Sequence, residues 1–63
     1  MNMEHWLERD TFDKYFFHLY QYVYREKSIT KTYICTFHTD NLSDMGIKIT
    51  DEYKIQIKIG VKI

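Results

Sequence analysis

The spacing of apolar residues changes near Ser28, and this change does most to limit the folds open to the chain. Before Ser28, four apolar residues recur at i, i+4, i+7 and i+11, the spacing of one helix face: Phe12, Phe16, Leu19 and Val23. After Ser28, apolar and polar residues alternate, which is the spacing of a strand. The pattern predicts a helix over residues 11–26 followed by strands.

The N-terminus of this helix is expected at Asp10 or Thr11, because either side chain can accept a hydrogen bond from the first helical turn. Residues 3–8 are predicted to be helical as well, but their two glutamates would lie on the apolar face of a continuous helix. We therefore expect a kink or a cap near Arg9–Thr11.

The second half of the chain is typical of strands. Residues 29–38 are mostly β-branched or aromatic, and the pattern puts four of them on one strand face: Ile29, Tyr33, Cys35 and Phe37. Residues 40–46 are predicted to be a loop. From Ile47 the isoleucines alternate with polar residues, which predicts a short strand, a turn near residues 51–52 and a long strand to Ile63.

The elements together predict an α+β fold, in which the N-terminal helix packs on a three-stranded antiparallel meander. Proline is absent, and the two glycines lie outside any Gly/Ser-rich stretch, so no linker or repeat is visible. We expect residues 1–63 to form one small domain.

A second fold is suggested by a resemblance to the sterile alpha motif (SAM) domain, a five-helix protein-interaction module. Trp6-Leu7, Phe12, Tyr15 and Leu19 are similar to the opening positions of that family, and later positions match as well: Ile29, Ile34, Phe37, Leu42 and Met45-Gly46-Ile47. The resemblance implies an all-α domain that associates with itself or with other modules. Its contact surfaces would lie near Asp40 and Asp44 and near Lys54.

Charge and cysteine content limit the class of protein. Nine basic and nine acidic residues give a formal net charge of zero, which disfavours a nucleic-acid binder. Cys35 is the only cysteine, so a disulfide within the chain is excluded. No basic and apolar leader follows Met1, and no apolar run has the length of a membrane span. We expect a cytoplasmic or otherwise intracellular protein that does not enter a membrane.

Catalysis and metal binding find little support in the residue pattern. Cys35 and His38 would face opposite sides of a strand, so they would not form a nucleophile and base pair. The histidines lie on separate segments without the spacing of metal ligands, and neither glycine belongs to a phosphate-binding loop. We expect a protein that is not an enzyme and that binds no metal, no cofactor and no small-molecule substrate.

A row of lysines is the feature that favours nucleic acid or another anion: Lys48, Lys54, Lys58 and Lys62. Lysines on a solvent-facing strand also keep an edge soluble, which is the simpler interpretation. The predicted lysine face carries no aromatic residue for base stacking. Nucleic-acid binding therefore stays an alternative.

Aromatic residues on the predicted helix form a second stripe, about 100° from the first: Trp6, Phe17, Tyr20 and Tyr24. They are either half-buried at the rim of the core or part of an exposed patch, and Tyr and Trp are residues that anchor protein interfaces. We expect a non-enzymatic domain that binds a protein partner or a second copy of itself, through this stripe or a strand edge. It would act as a dimeric adaptor or as an inhibitor of a larger protein. Residue usage rich in Ile, Lys and Tyr, without Ala, is typical of an AT-rich bacterial, phage, viral or protist genome. Together with the small size of the chain, it suggests a phage or viral inhibitor of a host or defence protein.

Overall fold

The chain begins with three antiparallel strands, and its helix comes after them. The computed structural model describes residues 2–60, in which β1 is Asn2–Arg9, β2 is Phe16–Tyr24 and β3 is Ile29–His38. Helix α1 is Leu42–Tyr53, and β4 is Ile57–Ile59. The four strands form one mixed sheet in the order β3-β2-β1-β4, in which β4 runs parallel to β1.

The predicted N-terminal helix is wrong, because residues 2–24 form a β-hairpin. Leu7 pairs with Leu19 and Trp6 pairs with Tyr20 across β1 and β2. The segment 16–24 is apolar or aromatic at nearly every position, so it satisfies a helical and an alternating pattern equally well. Its high content of aromatic and β-branched residues favours the strand.

The hairpin loop explains why a helix cap was expected at its start. One carboxylate oxygen of Asp10 accepts hydrogen bonds from the amides of Phe12 and Asp13, at 2.9 and 3.0 Å. The same local bonds would cap a helix, but here they shape a turn. The amide of Asp10 donates to the carbonyl of Phe16 at 2.8 Å and so closes the loop.

The strand predicted for residues 29–38 is present as β3, but its two halves do not share one face. Leu19 pairs with Cys35 and Tyr20 pairs with Tyr33, which leaves Ile34 as the extra residue of a β-bulge. Because one residue is inserted, Tyr33 lies on the opposite sheet face from Cys35. The predicted grouping of Ile29 and Tyr33 with Cys35 and Phe37 is therefore wrong.

The loop at 40–46 and the hairpin from Ile47 are also wrong, since most of this region is α1. Asn41 caps the helix, and its side-chain oxygen accepts the amide hydrogen of Asp44 at 3.2 Å. The helix ends where Lys54 takes a left-handed conformation, with φ of 59°. Of the predicted long strand only Ile57–Ile59 is β4, and residues 61–63 lie outside the described part of the chain.

The all-α SAM-like alternative is also wrong, because the described chain is mainly strand. The predicted meander of residues 29–63 is therefore wrong, and the antiparallel meander of the structure consists of β1, β2 and β3.

The core lies between the sheet and α1. In the described part of the chain, the core cluster consists of four apolar residues that are 3% exposed or less: Leu7, Phe17, Leu19 and Ile49. Ile49 comes from the helix, and the other three come from the two inner strands. Partly buried residues surround them, including Cys35 and Phe37 of β3 and Leu42 and Met45 of α1. The helix therefore covers one face of the sheet.

Candidate functional site

The sheet face opposite α1 carries a set of aromatic and charged side chains, which we call the open face. Side chains alternate along a strand, so each residue beside a core residue of β1 or β2 points to this face. Its members come from all four strands: Glu4, Trp6, Glu8, His18, Tyr20, Tyr22, Tyr24, Lys31, Tyr33, Thr36 and Lys58. Among residues 2–60, α1 is the one helix, and it lies on the other face.

The rings of the open face contact one another. Trp6 and Tyr22 meet edge to face with centroids 6.5 Å apart, and Tyr22 stacks beside Tyr24 at 6.5 Å. Tyr20 and Tyr33 meet edge to face at 5.9 Å. Such ring pairs add stability beyond their buried area. Strand pairing holds them in a fixed arrangement.

Glu8 is the most buried charged group of the open face, and two side chains bond to it. The hydroxyl of Tyr22 donates a hydrogen bond to one carboxylate oxygen, and Lys31 Nζ lies 3.2 Å from the other. The ammonium group of Lys31 also lies 4.1 Å from the ring centroid of Tyr20. We call these four residues the Glu8 cluster.

The burial of the Glu8 cluster changes how its members ionise. Burial, together with the hydrogen bond to Glu8, raises the pKa of Tyr22. Burial alone would lower the pKa of Lys31, but its hydrogen bonds with Tyr22 and Glu8 outweigh that effect and raise it. The lysine therefore stays charged at neutral pH beside the carboxylate.

Glu4 forms a second cluster, in which a tyrosine and a lysine again bond to a carboxylate. Its carboxylate accepts hydrogen bonds from the hydroxyl of Tyr24 at 2.5 Å and from the indole nitrogen of Trp6 at 3.2 Å. Lys58 of β4 forms an ion pair with it and lies 5.8 Å from the Trp6 ring. These four residues are the Glu4 cluster. The hydrogen bond from Lys58, followed by those from Tyr24 and Trp6, lowers the pKa of Glu4 to about 2.

A hydrogen-bonded chain joins the open face to the β1–β2 loop. His18 Nε2 lies 2.6 Å from a carboxylate oxygen of Asp10, and His18 Nδ1 lies 2.8 Å from the hydroxyl of Thr36. The bond with His18, and then the amides of Phe12 and Asp13, lower the pKa of Asp10. In the neutral ring, Nε2 donates to the carboxylate, so Thr36 donates to Nδ1 and Tyr33 donates to Thr36 at 2.6 Å. The chain fixes the His18 and Tyr33 rings.

Three of the four predicted aromatic contact residues lie together on the open face. Trp6, Tyr20 and Tyr24 are even-numbered residues of β1 and β2, so strand alternation groups them where a helical stripe was expected. Phe17 is different, because it is 3% exposed and packs in the core. Its place in the predicted surface is wrong.

The predicted lysine row is not one surface. Lys58 lies on the open face, Lys48 lies on α1, and Lys54 follows the end of the helix. Lys62 is outside the described residues. A row was expected because these lysines alternate with isoleucines, but the helix breaks that alternation.

Seven members of the open face were missed: Glu4, Glu8, His18, Tyr22, Lys31, Tyr33 and Thr36. The Tyr-x-Tyr-x-Tyr pattern of residues 20–24 is a strand signal that would have placed Tyr22 beside Tyr20 and Tyr24. The two glutamates conflicted with a helical stripe, and this conflict was itself a sign of strand. Lys31 and Tyr33 depend on the register of β3 and its bulge.

Cys35 and His38 lie on opposite sides of β3. Cys35 packs against the core, and burial raises the pKa of its thiol. His38 lies on the other side of β3, where its ring contacts Phe16 with centroids 4.9 Å apart. Residues 2–60 contain no group of three potential metal ligands.

None of the described helical residues forms a segment with the length and hydropathy needed to cross a membrane. No family model, curated protein or solved structure matches the chain.

Proposed function

We propose that this chain is a non-enzymatic protein-binding domain and that the open face is its contact surface. The observation that carries the proposal is the concentration of tyrosine and tryptophan rings on the sheet face that α1 leaves uncovered. These are the residue types that contribute most to protein interfaces. Their rings are held by strand pairing, so little conformational entropy is lost on binding.

The charges of the open face favour a protein over a nucleic acid. Lys31 is paired with Glu8, and Lys58 is paired with Glu4. A nucleic-acid surface needs a positive potential to attract phosphates, and these pairs cancel it. Aromatic rings do accompany the lysines here, so stacking of bases is sterically open, but the two carboxylates oppose the phosphate backbone.

The hydroxyl groups of the open face support binding rather than catalysis. The Thr36 hydroxyl is the nearest candidate nucleophile to a base, but it is exposed and is bonded to both His18 and Tyr33. This network orients rings on the surface. We therefore assign it a positioning role in the interface.

The edge strand β3 offers a second contact. It is the longest strand, with ten residues, and pairs only with β2 within the described sheet. An edge of this length can accept a further strand from a partner or from a second copy. Self-association through β3 would extend the open face.

The free thiol of Cys35 suits a reducing, intracellular compartment.

The proposal is tested with the purified chain as bait in an extract of its native source. Tyr20→Ser and Tyr24→Ser each remove a ring from the open face, and each should abolish capture of the partner that the wild type retains. The matched controls are Ile47→Ser and Tyr53→Ser, which remove exposed apolar side chains from α1. The controls should retain the partner.

Sedimentation of the same variants extends the test to self-association. If the partner is a second copy, the two face variants should sediment as monomers while the helix variants do not. Circular dichroism and thermal unfolding identify any variant that is not folded. The proposal fails if folded face variants keep every partner and the wild-type oligomeric state.

A further inference from the structure

We propose that β3 is a dimer interface, along which a second copy of this chain pairs its own β3 in the antiparallel direction. This inference rests on the second contact of the proposed function and names its partner. It follows from which backbone groups of β3 face outwards and from the position of the bulge at Ile34. The two copies would share one continuous sheet.

The outer edge of β3 is long and poorly protected. β3 has ten residues, whereas β4, the other edge of the described sheet, has three. Natural edge strands are often protected by a proline or by a lysine that points outwards. β3 contains no proline, and the ammonium group of Lys31 is held over β2 by Glu8, at 3.2 Å. Within residues 2–60 this edge is therefore open to a further strand.

Hydrogen bonds at the two ends of β3 show which of its residues face outwards. The amide of Thr39 donates to the carbonyl of Tyr15 at 2.9 Å, and the amide of Arg25 donates to the carbonyl of Ser28 at 2.8 Å. Hydrogen-bonded and non-hydrogen-bonded pairs alternate along an antiparallel ladder, so these two bonds fix the pattern between them. Five residues of β3 are then in non-hydrogen-bonded pairs, and their amide and carbonyl groups point away from β2: Ile29, Lys31, Tyr33, Thr36 and His38.

The bulge changes the spacing of these outward residues near the middle of the strand. They are two apart on each side of the bulge, but Tyr33 and Thr36 are three apart because Ile34 is inserted. A regular strand has its outward residues two apart throughout, so it can pair with only one half of β3. A second copy carries the same irregularity and can match it. The edge is therefore complementary to itself.

One two-fold axis, between Ile34 and Cys35, brings the two bulges opposite each other. An axis that passes through a single residue would use only one half of the strand, because the bulge puts the outward residues of the other half out of step. The axis between the two residues pairs every outward residue from 31 to 38 with one of the second copy: Tyr33 with Thr36, and Lys31 with His38.

Exposed apolar side chains lie beside this axis. Ile34 is 43% exposed and Tyr33 is 56% exposed, and in the dimer each copy would cover those of the other. The axis is perpendicular to the sheet, so both open faces would lie on one side of the dimer and both α1 helices on the other. The dimer would thus present a doubled open face to a partner.

The test compares two substitutions of Thr36 by sedimentation velocity. Thr36→Pro removes an outward amide hydrogen that β2 does not use. It should raise the dimer dissociation constant at least about tenfold, because each copy loses a hydrogen bond to the other. Thr36→Val loses the hydroxyl bond to His18 but keeps the amide, so it is the matched control and should remain a dimer. Circular dichroism reports whether each variant is folded.

Ile34→Lys tests the axis independently and decides the question if Thr36→Pro does not fold. Its two added charges would meet across the axis and should make the protein monomeric, because like charges at close approach repel. Ile47→Lys adds the same charge to an exposed position of α1 and should leave the dimer intact.

Two results would overturn the inference. One is a wild type that stays monomeric up to about 1 mM, the weak end of specific association. The other is a dimer that the folded edge variants leave unchanged, because that dimer would use another surface. If either occurs while Tyr20→Ser abolishes partner capture, the open face remains the contact surface and β3 is not a dimer interface. If the edge variants are monomeric while Tyr20→Ser keeps its partner, the dimer stands and the open-face proposal fails.

Discussion

The ammonium group of Lys31 lies 3.2 Å from the carboxylate of Glu8, although the two residues belong to strands that are not neighbours in the sheet. Lys31 is on β3, Glu8 is on β1, and the lysine side chain crosses β2 to reach it. On its way the ammonium group passes over the rings of Tyr20 and Tyr22. The pair therefore ties the edge strand to the inner strands and organises the open face.

The Lys31–Glu8 pair should contribute measurably to stability. Lys31→Met should lower the free energy of unfolding by about 1 kcal/mol, because the carboxylate loses its counter-ion while solvent screens the half-exposed lysine. Urea unfolding of Lys31→Met, Glu8→Gln and the double variant gives the coupling energy. Lys27→Met, in the exposed β2–β3 turn, should be neutral. A coupling energy of zero would mean that the pair does not tie β3 to β1.

The residues that form the core differ between the observed sheet and the predicted N-terminal helix. Leu19→Ala should lower the free energy of unfolding by about 2–5 kcal/mol, because Leu19 is 1% exposed and its loss leaves a cavity. Phe12→Ala should have almost no effect, since Phe12 is 97% exposed. On a helical stripe both residues would face the core. A large destabilisation by Phe12→Ala in urea unfolding would contradict the sheet.

Stability should depend on pH through Glu4. Its pKa falls from an ordinary value of 4.5 to about 2 on folding, so the ionised carboxylate stabilises the fold above pH 4.5 and loses this effect as the pH falls to about 2. Glu4→Gln should therefore flatten the loss of stability over this window. Asp10, whose pKa is also lowered, accounts for part of what remains.

The measurement is thermal unfolding of the wild type and of Glu4→Gln across that pH window. Glu52→Gln, which changes an exposed glutamate of α1, is the matched control and should keep the wild-type slope. An unchanged slope in Glu4→Gln would show that the Glu4 cluster does not form.

The end of α1 offers a stabilising substitution. Lys54 has φ of 59°, a left-handed conformation that costs a residue with a Cβ roughly 1 kcal/mol. Lys54→Gly should therefore raise the free energy of unfolding by about 0.5–1 kcal/mol, since glycine is the preferred residue at such a helix end. Urea unfolding checks the sign. Lys48→Gly, inside the helix, should destabilise by a similar amount and serves as the opposite control.

Part of this fold could be predicted from sequence, and the limit was the ambiguity of two segments. Residues 29–38 were recognisable as a strand, because a β-branched and aromatic composition leaves no competing helical pattern. Residues 16–24 are apolar or aromatic at nearly every position, so periodicity alone did not distinguish strand from helix.

Helix α1 was not predicted, because the local preferences of its residues oppose the helical spacing of its apolar side chains. Leu42, Met45 and Ile49 have helical spacing, and Asn41 precedes them as a cap, but Gly46 disfavours a helix and the β-branched residues favour a strand locally. Burial of Ile49 against Leu7 and Leu19 outweighs that preference. Tyr20 and Tyr24 came together in both interpretations, because residues four apart are neighbours on a helix and share a face of a strand. Trp6 joins them in the sheet because it pairs with Tyr20 across β1 and β2.

Quenching of Trp6 fluorescence by acrylamide tests whether the open face is the contact surface. Trp6 is the only tryptophan of the chain and lies on the open face, so its accessibility reports whether a partner covers that face. With the partner isolated by affinity capture, the quenching constant should fall as the partner is added and should reach a plateau at saturation. Saturated binding with an unchanged quenching constant would show that the partner binds elsewhere and would contradict the account.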